Sequence, residues 1–399
     1  MGAVDVNNLV IFALVLALTA AIPALVPRLP VPGVVLEILA GVLVGPQVFG
    51  WVQMGAAGKF LASFGLAVLF LMAGFEMDPA VMKGRPISLA VVSWFLSAAL
   101  ALAAGASLSG LGLADAPTLT ALTLTTTAIG MLIPVLRDSR LLDPPYGPLV
   151  LSAGIVGEAA PVTALSLILT RDDVGWQAFM MLAFAAGTCA LALLATRTQE
   201  GYLARLFTRT MHTSGQLPMR LAISCMILVV VLAEWLNIDL VLGAFIAGAV
   251  MRAALTSDQH EHMMARLDGI GSAFVVPIFF ITSGVQLDVS ALFSDWTALA
   301  MVPVYALLML LVRGIPVMLM YGGVLSLTQR AALALHLGTQ ISLVVAITTI
   351  AVQRGLMPGG QAAALVGGGI LTTILFPALS QRLMRRPAEA VHQPLRAGS

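Results

Sequence analysis

The chain has 399 residues, of which 59% are apolar and 10% charged, and its formal net charge is +1. Soluble domains average about a quarter charged residues and about half apolar ones, so this composition excludes a water-soluble globule. The balanced charge also excludes a basic surface for nucleic acid. The sequence therefore predicts an all-α polytopic membrane protein.

Thirteen apolar segments are long enough to cross a membrane, since a spanning helix needs about 20 mostly apolar residues. The predicted spans cover residues 8–26, 33–51, 58–77, 87–108, 117–136, 147–169, 175–195, 218–236, 239–254, 268–286, 297–324, 331–353 and 361–383. They place residues 1–384 in a single transmembrane transport domain, followed by a short cytoplasmic tail at 385–399. The chain contains no P-loop, CxxC pair, HExxH motif or nucleophile elbow, so we expect neither an enzyme nor a cofactor.

The basic residues indicate the orientation of the chain in the membrane. With thirteen spans, sixteen of the twenty Lys and Arg residues fall on one side, three on the other and one inside a span. Because cytoplasmic loops are enriched in Lys and Arg, the N-terminus is predicted outside and the C-terminus in the cytoplasm.

An internal repeat relates the two halves of the chain. The segment LFLMAGFEMD at 69–78 matches FFITSGVQLD at 279–288, which aligns Gly74 with Gly284, and spans 2 and 9 share Ala-Gly steps at Gly41 and Gly248. Seven spans separate each pair, so the copies cross the membrane in opposite senses. The pattern predicts an inverted repeat of helices 1–6 and 8–13 joined by helix 7, an architecture typical of secondary transporters.

Two charged residues lie near the middle of predicted spans, where an ionised side chain is costly. Glu158 lies in span 6 and Arg313 in span 11. We expect Glu158 to bind a proton or a cation and Arg313 to compensate its charge, although a purely structural ion pair would also account for both.

Spans 5 and 12 each carry a polar, helix-weakening stretch at membrane depth. Span 5 contains Thr126 and Thr127, and span 12 contains Gln340 within a Gly-Thr-Gln sequence. Unwinding there would expose carbonyl and side-chain oxygens to a small cation, so both spans are predicted to be discontinuous and to cross. The alternative is that the hydroxyls only bond to their own helices.

Two further residues are candidate accessory proton or pH sites. Glu37 lies toward the cytoplasmic end of span 2, and His336 lies at the start of the polar stretch of span 12. Glu37 could equally be a hydrated residue that lines a pore.

Four segments together resemble the second family of monovalent cation:proton antiporters, which includes sodium/proton exchangers and potassium efflux systems. They are residues 29–50, 64–78, 152–162 and 266–288. The resemblance implies that the acid on helix 6, here Glu158, binds the ion, and that helices 5 and 12 are broken and crossed. It also implies a homodimer, with helices 1–3 and 8–10 as scaffold and helices 4–6 and 11–13 as core. The chain departs from the family in carrying Gly157-Glu158 where members usually have Asp preceded by Asp, Asn or Gln.

These observations predict a transporter in the bacterial inner membrane that exchanges Na⁺ or K⁺ for H⁺ by alternating access. Because Arg313 does not release its proton, exchange is expected to be electroneutral, at one for one. A proton-coupled transporter of an organic anion or drug, and an uncoupled channel or sensor, are the alternatives on the same scaffold.

Overall fold

A computed structural model describes residues 6–26, 31–77, 84–128, 144–169, 240–255 and 257–384, with isolated positions within 132–142 and 220–231. The predicted span at 175–195, most of the span at 218–236 and the tail at 385–399 lie outside the described residues.

Every regular element in the described part of the chain is helical. The α-helices are α1 (Val6–Leu25), α2 (Gly33–Val44), α3 (Ala56–Phe75), α4 (Arg85–Gly110), α5 (Pro117–Leu124), α6 (Tyr146–Leu169), α7 (Leu240–Ala254), α8 (Ser257–Ile270), α9 (Val276–Gln286), α10 (Val289–Ser294), α11 (Trp296–Met320), α12 (Leu327–Leu337), α13 (Ser342–Gln353) and α14 (Gly359–Met384). A π-helical turn, Gly271–Val275, joins α8 to α9, and a 3₁₀ turn, Tyr321–Gly323, follows α11.

Seven helical segments among the described residues are long and apolar enough to cross a membrane, and three shorter apolar helices accompany them. The shorter three fall in predicted spans 1, 2 and 9. The count of thirteen stays a prediction, because two of the remaining spans lie largely outside the described residues.

Two helix boundaries differ from those predicted. The second predicted span runs to residue 51, but α2 ends at Val44 and Gly45 is extended, because Pro46 follows and disfavours a helical conformation at the residue before it. The tenth predicted span starts at residue 268, whereas α8 starts at Ser257, so a polar helical segment precedes the apolar one.

Four glycines allow two pairs of helices to approach with their backbones in contact. In the α2–α9 pair, a side chain at Gly41 would collide with the Ile281 carbonyl oxygen, and one at Gly284 would collide with the Ile38 carbonyl oxygen. Small residues at helix interfaces permit such close packing in membranes.

The α3–α7 pair repeats the same arrangement. A side chain at Gly74 would meet the Phe245 carbonyl oxygen, and one at Gly248 would meet the Leu71 carbonyl oxygen. The geometry is the same in all four cases. Each glycine faces a backbone carbonyl of the partner helix, and that carbonyl belongs to the residue three positions before the partner helix's own glycine.

Predicted span 12 is interrupted where its polar stretch lies. Helix α12 ends at Leu337, α13 begins at Ser342, and residues 338–341 between them are not helical. Predicted span 5 behaves alike: α5 ends at Leu124, residues 125–128 are not helical, and positions 132, 133 and 136 are helical again.

Candidate ion-binding site

The two interruptions lie in contact and exchange hydrogen bonds, and we call this contact the crossing. The Ala128 N–H donates to the Thr339 carbonyl at 3.1 Å, and the Thr127 N–H donates to the Gly157 carbonyl at 3.0 Å. The Thr127 hydroxyl donates to the Leu337 carbonyl, also at 3.0 Å. The backbone groups that unwinding releases are thus satisfied between helices, as a low-dielectric interior requires.

Gln340, in the interruption between α12 and α13, bonds to the segment that follows α5. Its Nε2 donates to the Leu124 carbonyl at 3.1 Å, and its Oε1 lies 3.2 Å from Thr126 Oγ1. The Gln340 N–H donates to Thr372 Oγ1 of α14 at 3.2 Å. Thr126, Thr127 and Gln340 are all fully buried, and each is already engaged within the crossing.

Arg313 of α11 reaches the same crossing and is itself buried. Its Nη2 and Nε lie 3.0 and 3.2 Å from Thr127 Oγ1, and its Nη2 donates to the Ala153 carbonyl at 3.3 Å. A Cβ added at Gly157 would lie 2.7 Å from Arg313 Nη2 and 2.6 Å from Thr127 Oγ1. The guanidinium therefore occupies the space that a side chain at residue 157 would need, directly beside the residue that precedes Glu158.

Glu158 borders a cavity of about 440 Å³, which we call the Glu158 cavity. The residue lies on α6 and is 8% exposed. The residues that line the cavity with Glu158 come mainly from α2, α3, α8, α9 and the start of α13.

Acidic side chains from several helices face the Glu158 cavity. Glu37 of α2 lies on its wall, and Glu37 Oε2 is buried with no hydrogen-bond partner among the described residues. Glu76, which follows α3, and Asp268 of α8 also line it, with His260 near them. Three acidic side chains and a histidine thus share the wall of this cavity with Glu158.

His336 is placed away from this cavity. It is completely buried near the end of α12, and its Nδ1 lies 2.8 Å from the Tyr146 hydroxyl of α6. Its Nε2 has no partner in the described part of the chain. The structure thus groups His336 with the start of α6 and not with Glu37.

Sequence reasoning missed Glu76 and Asp268 as lining residues of the Glu158 cavity, which Ser342 also lines. Glu76 lies within the repeated segment at 69–78, which could have drawn attention to it. Ser342 is the first residue of α13, so the half-helix that begins after the interruption starts at the cavity. That placement follows from the crossing of the chain, which local sequence does not encode.

The family model described as "Sodium/hydrogen exchanger, transmembrane" matches residues 14–385. The chain is 28% identical over 413 residues to the putative Na(+)/H(+) antiporter YjbQ of Bacillus subtilis, and this alignment covers 97% of the chain and 64% of YjbQ. It is 25% identical over 299 residues to the Na(+)/H(+)-K(+) antiporter GerN of Bacillus cereus, and that alignment covers 72% of the chain and 74% of GerN.

A solved structure has a similar fold. The sodium proton antiporter MjNhaP1 of Methanocaldococcus jannaschii matches with a TM-score of 0.67 and 17% identity, over 93% of this chain and 94% of that one. At this identity the likeness establishes the fold alone.

Proposed function

Because the chain belongs to the transmembrane sodium/hydrogen exchanger family, we propose that it exchanges a monovalent cation for protons across the membrane in which it is embedded. Glu158 holds the proton or the cation, but not both at once. The observation that carries this proposal is a buried carboxyl that lines a cavity of about 440 Å³. An intramembrane acid of this kind is typical of an ion pathway.

Exchange is proposed to be electroneutral, with one cation moved for each proton. Arginine stays protonated at all relevant pH values, so Arg313 contributes a constant positive charge. Glu158 with a proton and Glu158 with a monovalent cation then give the site the same net charge. Participation of Glu37 or His336 as an accessory proton site would change this ratio.

Alternating access is proposed on an inverted repeat of helices 1–6 and 8–13. The glycine contacts support it. In the sequence repeat Gly41 corresponds to Gly248 and Gly74 to Gly284, and the contact between α2 and α9 has the same pattern as the contact between α3 and α7. Helices 1–3 and 8–10 would form the scaffold and the interface of a homodimer. The crossed helices would belong to the core, with Thr126, Thr127 and Gln340 contributing oxygens to the cation site.

Na⁺ and K⁺ are both proposed as substrates to be tested. The name of GerN covers both ions, and that of MjNhaP1 covers sodium. Hydroxyl and amide oxygens such as those of Thr126, Thr127 and Gln340 are hard ligands that suit these cations.

The proposal is tested with the purified chain in proteoliposomes that contain a pH-sensitive dye. We expect Na⁺, K⁺ or Li⁺, added separately, to drive proton movement with wild-type protein and not with Glu158→Gln. Glu261→Gln makes the same chemical change at an exposed position of α8 and should behave as wild type. Exchange that persists in Glu158→Gln would remove Glu158 from the site.

Current across the same membranes separates the alternatives. A cation-driven current as large as the proton flux would contradict one-for-one exchange. Cation flux that is independent of pH on both sides would favour a channel. Proton movement driven by a carboxylate drug but by none of the three cations would favour an organic-anion transporter, in which Arg313 binds the anionic group.

A further inference from the structure

A second, smaller cavity lies at the opposite end of the segment formed by α8 and α9. It has a volume of about 200 Å³ and lies between the end of α9, α13 and the start of α14. The Glu158 cavity reaches Asp268 on this segment, whereas the second cavity reaches Gln286. On this segment the lining residues of the Glu158 cavity run from Asp268 to Phe280, and those of the second cavity run from Ser283 to Asp288. The two cavities therefore lie toward opposite ends of a segment long and apolar enough to cross the membrane.

Equivalent positions of the sequence repeat line the two cavities. Ala73 and Glu76 line the Glu158 cavity, and their counterparts Ser283 and Gln286 line the second cavity. An inverted repeat places equivalent positions on opposite sides of the membrane. The second cavity is thus the counterpart of the Glu158 cavity on the other face.

The second cavity contains a polar group that nothing in the described chain satisfies. Ser283 is 4% exposed, and its Oγ has no hydrogen-bond partner among the described residues. A buried hydroxyl without a protein partner costs free energy, and a cation bound in the cavity would offset this cost. A serine hydroxyl has two lone pairs that can bind a cation.

Further oxygen atoms line the same cavity. Gln353 Nε2 donates to Gln286 Oε1 at 3.1 Å, which joins α13 to α9 and leaves Gln353 Oε1 available. Thr348 uses its proton within α13, bonding to Val344 O at 2.8 Å, and keeps its lone pairs. Asp288 is the single charged side chain among the described residues that line the cavity.

The Asp288 carboxylate is kept ionised at neutral pH. Its Oδ1 accepts from the Ala291 N–H at 3.0 Å, the Ser290 hydroxyl at 2.9 Å and Gln47 Nε2 at 3.0 Å. These donors, the Ala291 N–H foremost, lower the pKa of Asp288 below its usual value. One negative charge with several neutral oxygens is a donor set that suits a monovalent cation.

We propose that the second cavity is a cation-binding subsite on the face opposite the Glu158 cavity, with Ser283 Oγ, Gln353 Oε1 and the Asp288 carboxylate as ligands. The proposal rests on the exchange activity proposed above and adds a second binding position to the path of the cation.

The test compares cation affinity from the two faces. Everted and right-side-out membrane vesicles present opposite faces of the protein to added Na⁺, K⁺ or Li⁺, and the half-saturating cation concentration is measured in both. We expect Ser283→Ala, which installs the residue of the equivalent position Ala73, to raise this concentration about fivefold from the second-cavity face only. A merely structural role for Ser283 would change both faces alike.

Gln286→Glu provides the opposite change, since it installs the carboxyl of the equivalent position Glu76. We expect it to lower the half-saturating concentration from the second-cavity face. Ser294→Ala, outside both cavities on exposed α10, should leave both faces unchanged.

The outcomes separate the two proposals. Wild-type vesicles without exchange would overturn the proposed function. Normal Glu158-dependent exchange with no one-sided effect of Ser283→Ala or Gln286→Glu would overturn the subsite and leave the exchange activity standing.

Discussion

Thr127 accepts two hydrogen bonds from Arg313, at 3.0 and 3.2 Å, while its own hydroxyl proton goes to the Leu337 carbonyl. The Thr127 side chain therefore joins the non-helical stretch after α5 to the end of α12 and to α11. It is also the group that holds the guanidinium at the crossing.

Replacing Thr127 by valine should destabilise the protein, because the buried guanidinium loses an acceptor. We expect a loss of about 1–3 kcal/mol, measured as a lower unfolding temperature in detergent. Thr163→Val is the matched control, since Thr163 is exposed and bonds only to the Ala159 carbonyl of its own helix. Equal effects of the two substitutions would contradict the importance of the Arg313 contact.

Alanine at Gly157 should displace the guanidinium of Arg313. The new methyl group would overlap Thr127 Oγ1 and Arg313 Nη2, and overpacking of this kind costs about 1–3 kcal/mol. The cost should be smaller in an Arg313→Lys background, because lysine has no group equivalent to Nη2. A double-mutant cycle in unfolding temperature and exchange rate measures this coupling, and strict additivity would contradict it.

The backbone contacts between α2 and α9 predict a strong effect of a single methyl group. Gly41→Ala would drive a side chain into the Ile281 carbonyl, and Gly284→Ala would drive one into the Ile38 carbonyl. Each should lower stability by about 1–3 kcal/mol. Gly269 of α8 has open space around it, so Gly269→Ala is the matched control and should be neutral or slightly stabilising. Thermal unfolding of the three variants side by side decides the matter.

The stability contributed by Asp288 should depend on pH. Its pKa is depressed by the Ala291 N–H, the Ser290 hydroxyl and the Gln47 amide, so its carboxylate stabilises the folded state at neutral pH. This contribution is lost as pH falls through the depressed pKa. The difference in unfolding temperature between wild type and Asp288→Asn should be constant from pH 8 to about pH 5 and shrink below about pH 4. A difference that persists unchanged to pH 3 would argue against an ionic contribution.

Much of the fold can be predicted from the sequence, because each helix that crosses a bilayer needs about 20 mostly apolar residues. The interruption of span 12 at Gly338-Thr339-Gln340 is confirmed, since helix-weakening and polar residues coincide there. The end of α2 at Val44 is missed, although Gly45-Pro46 carries the signal. The π-helical turn at 271–275 has no comparable signature.

The candidate site is less accessible to sequence reasoning, because its contacts join residues far apart in the chain. Arg313 and Thr127 are 186 positions apart, and Tyr146 and His336 are 190 apart. Sequence analysis identifies Glu158 and Arg313 as costly charges in the membrane. It does not indicate that Arg313 bonds to Thr127, nor that Gly157 leaves the room for it.

The reciprocal glycines also restrict how the molecule can change shape. With carbonyl oxygens packed directly against Cα atoms, α2 and α9, like α3 and α7, have no layer of side chains that could rearrange to let them slide. These four helices are expected to behave as one stiff frame. A displacement that turns Glu158 toward the opposite membrane face would then have to carry the crossed segments past that frame as a single block, with its internal hydrogen bonds intact.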